Sequence, residues 1–453
     1  SPSAGAHHNA ESVYKTLREI AGYSGTGSQD KKTSVLAKLI SELDPLSAKF
    51  ISRIPMGKMR LGFSDATMLD ALSVMERGDK SARPEIERAY NVTADIGEIS
   101  KLVKKSGIRS LRGVKPKPGI PIRPALAERL KDLTEIIEKA GPVVGVEQKL
   151  DGFRTQIHVW REFGKKHIAL FSRNLENTTA MFPEIVASAG KLPVRDVILD
   201  GETIGYNPKT GKFAPFQETV QRKRKYDIAK FAKKVPLNIF VFDILYLNGH
   251  SLLGLPFQKR RRHLEKILEG RPSRGTIRLS PQKETDDPKA ISRYLQESTD
   301  KGLEGLVVKK LNVPYQAGSR GFHWIKLKAT SSALEKLRGG GGESKLPDTI
   351  DCVLMGAYKG RGKRAKFGVG GFLLGVRGTG DKYYTISRLG TGLSDDQFRD
   401  ARKRVINIAS AQQPKQYEVD KEIFPDIWVR PQLVAEILAD EITLSPRHTA
   451  GRR

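Results

Sequence analysis

The stretch Glu147-Gln148-Lys149-Leu150-Asp151-Gly152-Phe153-Arg154 sets one lysine among side chains of both charges. A free lysine has a pKa near 10.4 and offers roughly one neutral amine in 2500 at pH 7, so a lysine used for attack must be deprotonated by its surroundings. Lys149 is therefore a candidate nucleophile. By itself the pattern Lys-x-Asp-Gly-x-Arg fits a surface turn after a strand equally well.

Five segments downstream shift that balance. They are Phe171-Ser172-Arg173-Asn174, Asp200-Gly201-Glu202, the run Val241 to Gly249 that contains Phe242, Glu304-Gly305-Leu306-Val307-Val308-Lys309, and Trp324-Ile325-Lys326-Leu327-Lys328. Six collinear matches between Glu147 and Lys328 leave little room for coincidence. In this order and at about this spacing they resemble the ATP-dependent DNA ligases, members of the covalent nucleotidyltransferases together with RNA ligases and capping enzymes. The resemblance extends over nearly the whole chain.

Charge is an independent bound. The 453 residues hold 79 Lys plus Arg against 51 Asp plus Glu, a formal charge of +28, which points to a polyanionic partner. No apolar run approaches the roughly 18 residues of a membrane span, and no signal-peptide pattern or amphipathic anchor is present, so a soluble intracellular protein, cytoplasmic or at the nucleoid, without a membrane partner, is expected. Cys352 is the only cysteine, which excludes a disulfide framework or a Cys-rich zinc site and suits a buried structural thiol.

The chain is long enough for about three domains. Residues 1–113 read as helical. Leu36, Leu39, Ile40 and Leu43 form one core stripe stopped by Asp44-Pro45, and Met68, Leu72 and Met75 form another ahead of Gly78. Lys115 to Pro121, with alternating prolines, cannot be helical and reads as an extended connector. Beyond it Leu126, Leu130, Leu133 and Ile137 predict an amphipathic helix. Strands are predicted at Thr155–Trp160, His167–Ser172, Val197–Asp200, Ile239–Leu247 and Leu306–Lys309, giving a mixed domain over 114–330. Glycines between Arg338 and Ser344 predict a tether over 331–346, followed over 347–453 by short strands, Ile350–Tyr358, Gly371–Val376 and Tyr383–Leu389, and a basic loop from Lys359 to Arg364.

The resemblance implies roles for these parts. It implies a multidomain fold: an all-α DNA-binding domain, an α+β adenylation domain and a β-barrel OB-fold domain that swings on its tether. Residues 27–32 and 59–63 look like parts of the helical domain, which RNA ligases and capping enzymes lack. Lys149 would attack the α-phosphorus of ATP and become lysyl-AMP. Lys326 and Lys328 would disfavour a third ammonium beside them and neutralise charge growing on the phosphate. Asp151 would orient the turn, Glu147 read the adenine edge, Phe242 stack on adenine, and Arg154, Arg173 and Arg320 contact ribose, phosphates or the nicked strand. Of Glu202 and Glu304, both placed at strand ends, Glu304 would chiefly hold Mg²⁺, with Mn²⁺ as a substitute, and Glu202 would serve the ribose and contact the metal as well.

The expected partner is nicked duplex DNA, gripped through phosphates and groove shape without a base code, by a monomer to which a sliding clamp could attach. RNA ligase is the second enzyme reading, and a DNA-binding protein with a relic nucleotide pocket is a third. An NAD-dependent ligase would need a zinc-binding cysteine cluster and is excluded. Departures from the family pattern are Ala329-Thr330 after the last lysine motif, the start partway into the helical domain, and the end at Gly451-Arg452-Arg453 without the terminal Arg-x-Asp-Lys motif. A truncated chain, or one shown without disordered parts, is expected; if complete, it would form lysyl-AMP poorly while still sealing a nick that already carries 5′-AMP.

Overall fold

The computed structural model describes residues 8–25, 27–57, 64–130, 132–206, 210, 212–223, 227–270, 275–328, 349–360, 367–378, 380–437, 445 and 447–451. The 59–63 segment, the 331–346 tether, most of the 359–364 basic loop and the two outermost ends fall outside them.

Among the described residues, six α-helices open the chain: α1 (Ala10–Gly22), α2 (Ser28–Ser41), α3 (Pro45–Ile51), α4 (Asp65–Arg77), α5 (Arg83–Val92) and α6 (Ile96–Ser106). Their starts follow capping chemistry. Asn9, Asp44 and Asp95 accept hydrogen bonds from the free N–H groups of the first turns of α1, α3 and α6, and Pro45 sits where a missing N–H costs nothing. Leu69, Leu72, Ile86, Tyr90, Ile99 and Val103 make the core of α4–α6. The α4 stripe is offset from the expected one: Leu69 is buried and Met75 is 52% exposed, because the face that meets α5 and α6 runs through Leu69, Leu72 and Ser73.

The connector holds no helix, as its prolines require, but it is not extended throughout: it turns at Pro118-Gly119, where the Ile120 N–H donates to the Lys117 carbonyl (3.1 Å), and it is clasped by two buried side chains of the next domain. The Gly119 N–H donates to His158 Nδ1 (3.1 Å), the Ile122 N–H donates to Gln156 Oε1 (3.1 Å), and Gln156 Nε2 donates back to the Ile122 carbonyl (2.6 Å).

Two sheets then face one another. The first has the order β1 (Leu126–Arg129), β11 (Arg320–Lys328), β10 (Gly305–Lys310), β2 (Val144–Lys149), β9 (Gln282–Thr285). The second runs β4 (Lys165–Ser172), β3 (Phe153–Glu162), β5 (Val197–Gly205), β6 (Leu237–Leu247), β7 (His250–Ser251), with β8 (Ile277–Leu279) paired to β6. Side chains alternate across a strand, so each sheet divides its residues between two faces. Val144, Val146, Leu306, Val308, Ile325 and Leu327 point outward into a core closed by α7 (Leu133–Ala140) and α10 (Pro288–Asp300). Ile157, Val159, Leu199, Ile239 and Val241 do the same on the second sheet, beneath α8 (Pro183–Gly190) and α9 (Phe257–Leu268). The alternate residues of both sheets are left for the space between them.

The amphipathic helix expected from Leu126 onward is shorter than its pattern: Leu126 belongs to β1, paired in parallel with β11, and the helix begins at Leu133 behind the cap Asp132. Leu130, Leu133 and Ile137 still pack on the first core.

The C-terminal residues form a third sheet, in the order β15 (Ala409–Ser410), β17 (Ile427–Val429), β12 (Ile350–Lys359), β13 (Val369–Arg377), β14 (Tyr383–Leu389), β16 (Tyr417–Glu418), with β18 (Val434–Ile437) also on β12. Buried Cys352 lies in its core. A helix absent from the expected pattern, Asp395–Asn407, starts in a capping box made by Ser394 and Gln397 and covers that core with Phe398 and Val405.

Candidate active site

A cavity of ≈ 560 Å³ opens between the first two sheets. The inward-facing residues of β2, β10 and β11 form one wall: Glu147 and Lys149, then Val307 and Lys309, then Trp324, Lys326 and Lys328. Arg154 of β3, Glu202 of β5, and Phe240 and Phe242 of β6 line the other. Arg173 and Arg320 are exposed at its edge, and Asp151 and Gly152 form the turn beneath Lys149. Every residue singled out from the sequence thus borders this one space.

Lys149 is the last residue of β2. Its ammonium donates to the Glu304 carboxylate, which is also 3.1 Å from Lys328 Nζ. Burial alone would raise Glu304, but Lys149 and then Lys328 outweigh it and hold the carboxyl below its ordinary range. Burial also pushes Lys326 down, helped by the positive charges of Arg320 and Lys149.

Glu202 lies in the middle of β5, not at a strand end, opposite Arg154 on β3. Burial pushes its carboxyl up to about 7; Lys149 and Arg154 oppose that push, whereas Asp200 and Glu304 add to it.

Arg154 is more fixed than its expected role in contacting ribose, phosphate or the nicked strand suggested. Its guanidinium forks onto Asp200 (Nε to Oδ1 2.9 Å, Nη2 to Oδ2 2.6 Å) and donates to the Ala125 carbonyl. The Tyr315 hydroxyl donates to Asp200 as well (2.9 Å). Arg154 thus joins β3, β5 and the residue ahead of β1, and it also lines the cavity.

Glu147 and Lys309 form a buried pair, Nζ to Oε1 2.8 Å. Sequence reading assigned Glu147 a role and gave Lys309 none, because Lys309 ends the apolar run Leu306-Val307-Val308. The available signal was the two-residue period, which puts Lys309 on the same face as Val307 and opposite Gly145 across the ladder, beside Glu147. Phe242 is half-buried, edge-on to Trp324 with centroids 5.6 Å apart.

Two glycines let the backbone close around this site. A Cβ on Gly152 would strike the Thr203 carbonyl oxygen. One on Gly305, whose φ is +142°, would strike that of Leu327.

Among the described residues no three metal-ligating side chains cluster. Glu202 and Glu304 line the cavity together, and two carboxylates suit a hard divalent cation that keeps waters and shares phosphate oxygens.

Comparison with known proteins agrees with the geometry. Residues 124–328 match the family described as the ATP dependent DNA ligase domain, 4–73 the DNA ligase N terminus, and 365–453 the ATP dependent DNA ligase C terminal region. A protein named Probable DNA ligase from Dictyoglomus thermophilum is 45% identical over 443 residues, covering 97% of this chain and 72% of that protein. This chain belongs to the ATP-dependent DNA ligase family. The DNA ligase of Sulfolobus acidocaldarius is 39% identical over 442 residues, covering 97% of this ligase and 71% of its own length. A solved structure titled "Pmar-Lig_Pre." has a TM-score of 0.50 at 17% identity, covering 89% of this chain and 80% of that one, a likeness of fold alone. No helix among the described residues is long and apolar enough to cross a membrane.

Proposed function

We propose that this ligase seals 5′-phosphate/3′-hydroxyl nicks in duplex DNA in three transfers at the cavity of Lys149. First, Lys149 Nζ attacks the α-phosphorus of ATP: a P–N bond forms, the bond to the bridging oxygen breaks, and diphosphate leaves. Second, a 5′-phosphate oxygen of the nick attacks the same phosphorus, releasing the lysine and leaving a DNA-adenylate. Third, the 3′-hydroxyl attacks the 5′-phosphorus and AMP departs. The observation that carries this reading is the convergence of Lys149, Glu304, Lys326 and Lys328 on one cavity.

Glu202 and Glu304 would hold the divalent cation, for which Mg²⁺ is the choice their oxygens suit. Such an ion supplies charge neutralisation at the phosphates. With the Glu304 oxygens so engaged, Lys149 would lose its anionic partner while Lys326 and Lys328 stay on the same wall of the cavity. Lys326 and Lys328 also face the charge that develops on the α-phosphate. Arg173 and Arg320, exposed at the rim, suit phosphates of the nucleotide or the nicked strand. Asp151 orients the turn. Phe242 and Trp324 offer aromatic faces to the base.

We assign residues 1–113 and 347–453 to gripping duplex on either side of the 114–330 unit. The net charge of +28 and the neighbouring N- and C-terminal family matches support this, and the C-terminal strands are read as an OB-type domain. The test is sealing of a labelled nicked DNA duplex beside the equivalent nicked RNA duplex, with ATP and Mg²⁺. DNA sealing is expected; sealing of RNA alone would replace this reading with RNA ligation.

A further inference from the structure

Lys309 has 1% of its surface exposed, and its surroundings are unusual for an ammonium. Ring centroids of Phe242, Phe257 and Trp324 lie 4.6, 4.7 and 4.7 Å from Nζ. The carboxylate it meets is Glu147 Oε1, at 2.8 Å. Glu147 is itself buried, 3% exposed; Ser280 Oγ donates to its other oxygen at 3.2 Å, and Arg261 stands 3.9 Å from Oε1. Glu147, Phe242 and Trp324 all line the cavity.

A carboxyl buried this deeply would take up a proton if it lacked a counter-ion, and a protonated carboxyl donates as well as accepts. Burial pushes the Glu147 carboxyl up, and Lys309 first, then Arg261, oppose that push; the ion pair at 2.8 Å holds the carboxylate as an acceptor in a fixed place beside Phe242 and Trp324. A flat heteroaromatic ring laid in the cavity against Phe242 must therefore offer an N–H at the edge facing Glu147. A 6-aminopurine does so; a 6-oxopurine presents a carbonyl oxygen there and is repelled. We propose that Lys309 is the positioning residue that sets base selection in this cavity, by holding the Glu147 carboxylate as an obligate acceptor for the exocyclic amine of a 6-aminopurine. This rests on the reading above that the cavity takes a purine nucleoside triphosphate.

The experiment measures lysyl-nucleotide formation by the full chain with Mg²⁺ and either ATP or inosine triphosphate, taking KM and kcat for each. In the wild type ATP is preferred. In Lys309→Met the preference, as the ratio of kcat/KM values, falls by about tenfold or more, the size of one lost buried hydrogen bond. In Lys309→Arg, which keeps the charge, it is largely retained. If Lys309→Met slows both nucleotides by the same factor, Lys309 is only a packing residue and the inference is overturned.

Removing Lys309 alone leaves a buried carboxylate unpaired, so Glu147→Gln and the double variant Glu147→Gln/Lys309→Met supply a second test that does not depend on the single variant folding. The two are expected to show the same reduced preference, because Lys309 acts only through Glu147. A further tenfold fall in the double variant would overturn the proposal. A wild type that takes neither nucleotide would overturn the parent reading, whereas a selective wild type with an unaltered ratio in both tests would overturn this inference alone.

Discussion

Lys149 and Glu304 are joined twice: the Glu304 N–H donates to the Lys149 carbonyl at 3.1 Å, and the Lys149 ammonium donates to the Glu304 carboxylate. The first bond lies immediately beyond the end of the ladder between β2 and β10, so the backbone that positions the nucleophile also positions its anionic partner. The second ties the nucleophilic nitrogen to a carboxylate. Glu304 is accordingly both brake and binding group. Glu304→Gln keeps the shape but not the charge, and lysyl-AMP formation in single turnover should slow by on the order of 10²-fold. Unchanged kinetics would show that Glu304 only packs there.

Gly305 shows how little slack this arrangement has. It pairs with Lys149 across the ladder, and its φ of +142° leaves no room for a Cβ beside the Leu327 carbonyl. Gly305→Ala is expected to cost about 1–3 kcal/mol of stability, read as a lower midpoint in denaturant, and to displace Glu304 enough to impair adenylation.

Glu202 makes the site sensitive to pH near neutrality. With burial as the first cause, its carboxyl titrates at about 7 in place of its usual 4.5. It is ionised, and fit to hold a cation, only above that point, so lysyl-AMP formation should rise as pH increases through about 7, and Glu202→Gln should flatten that limb. The stability effect has the opposite sign. Between pH 4.5 and about 7 the unfolded chain releases a proton that the folded chain keeps, so this group's contribution to stability is present at low pH and is lost as pH rises through that window. Glu202→Gln should therefore raise the melting temperature relative to wild type at a pH above that window and leave it nearly unchanged below.

Arg154 and Asp200 form a forked pair, with Asp200 fully buried. Arg154→Met strands that carboxylate, and the expected loss is about 3–5 kcal/mol, measured by chemical unfolding. Arg154→Lys should recover only part of it, since one ammonium cannot reproduce two parallel bonds. A small loss would mean that Arg154 is held chiefly for its cavity edge.

Much of this architecture was legible in the chain because local rules and tertiary packing agree there. Alternation in Val144 to Lys149 and in Trp324 to Lys328 sorts apolar residues to the helices and charged ones to the cavity, and Asp44-Pro45 stops and starts helices by capping chemistry. Legibility failed where tertiary context overrides a local pattern. Leu126 continues a helical stripe, yet it is drawn into β1 by an edge of β11 that lies far along the chain. Met75 has the right period but faces away from α5 and α6. Lys309 hides in an apolar strand, and only the register against β2 reveals that it meets Glu147. Arg154 lines the cavity, but its fork onto Asp200 is visible only once β5 is laid beside β3. These residues depend on contacts between distant segments, which a one-dimensional period cannot display.

The most direct measurement is intact-protein mass after incubation with ATP and Mg²⁺, followed by peptide mapping, for the parent chain and for Lys149→Ala. A nucleophilic Lys149 predicts one AMP on the parent, mapped to the peptide containing Lys149 and stable to alkali but not to acid, and none on the variant. AMP on another residue, or equal labelling of Lys149→Ala, would contradict it.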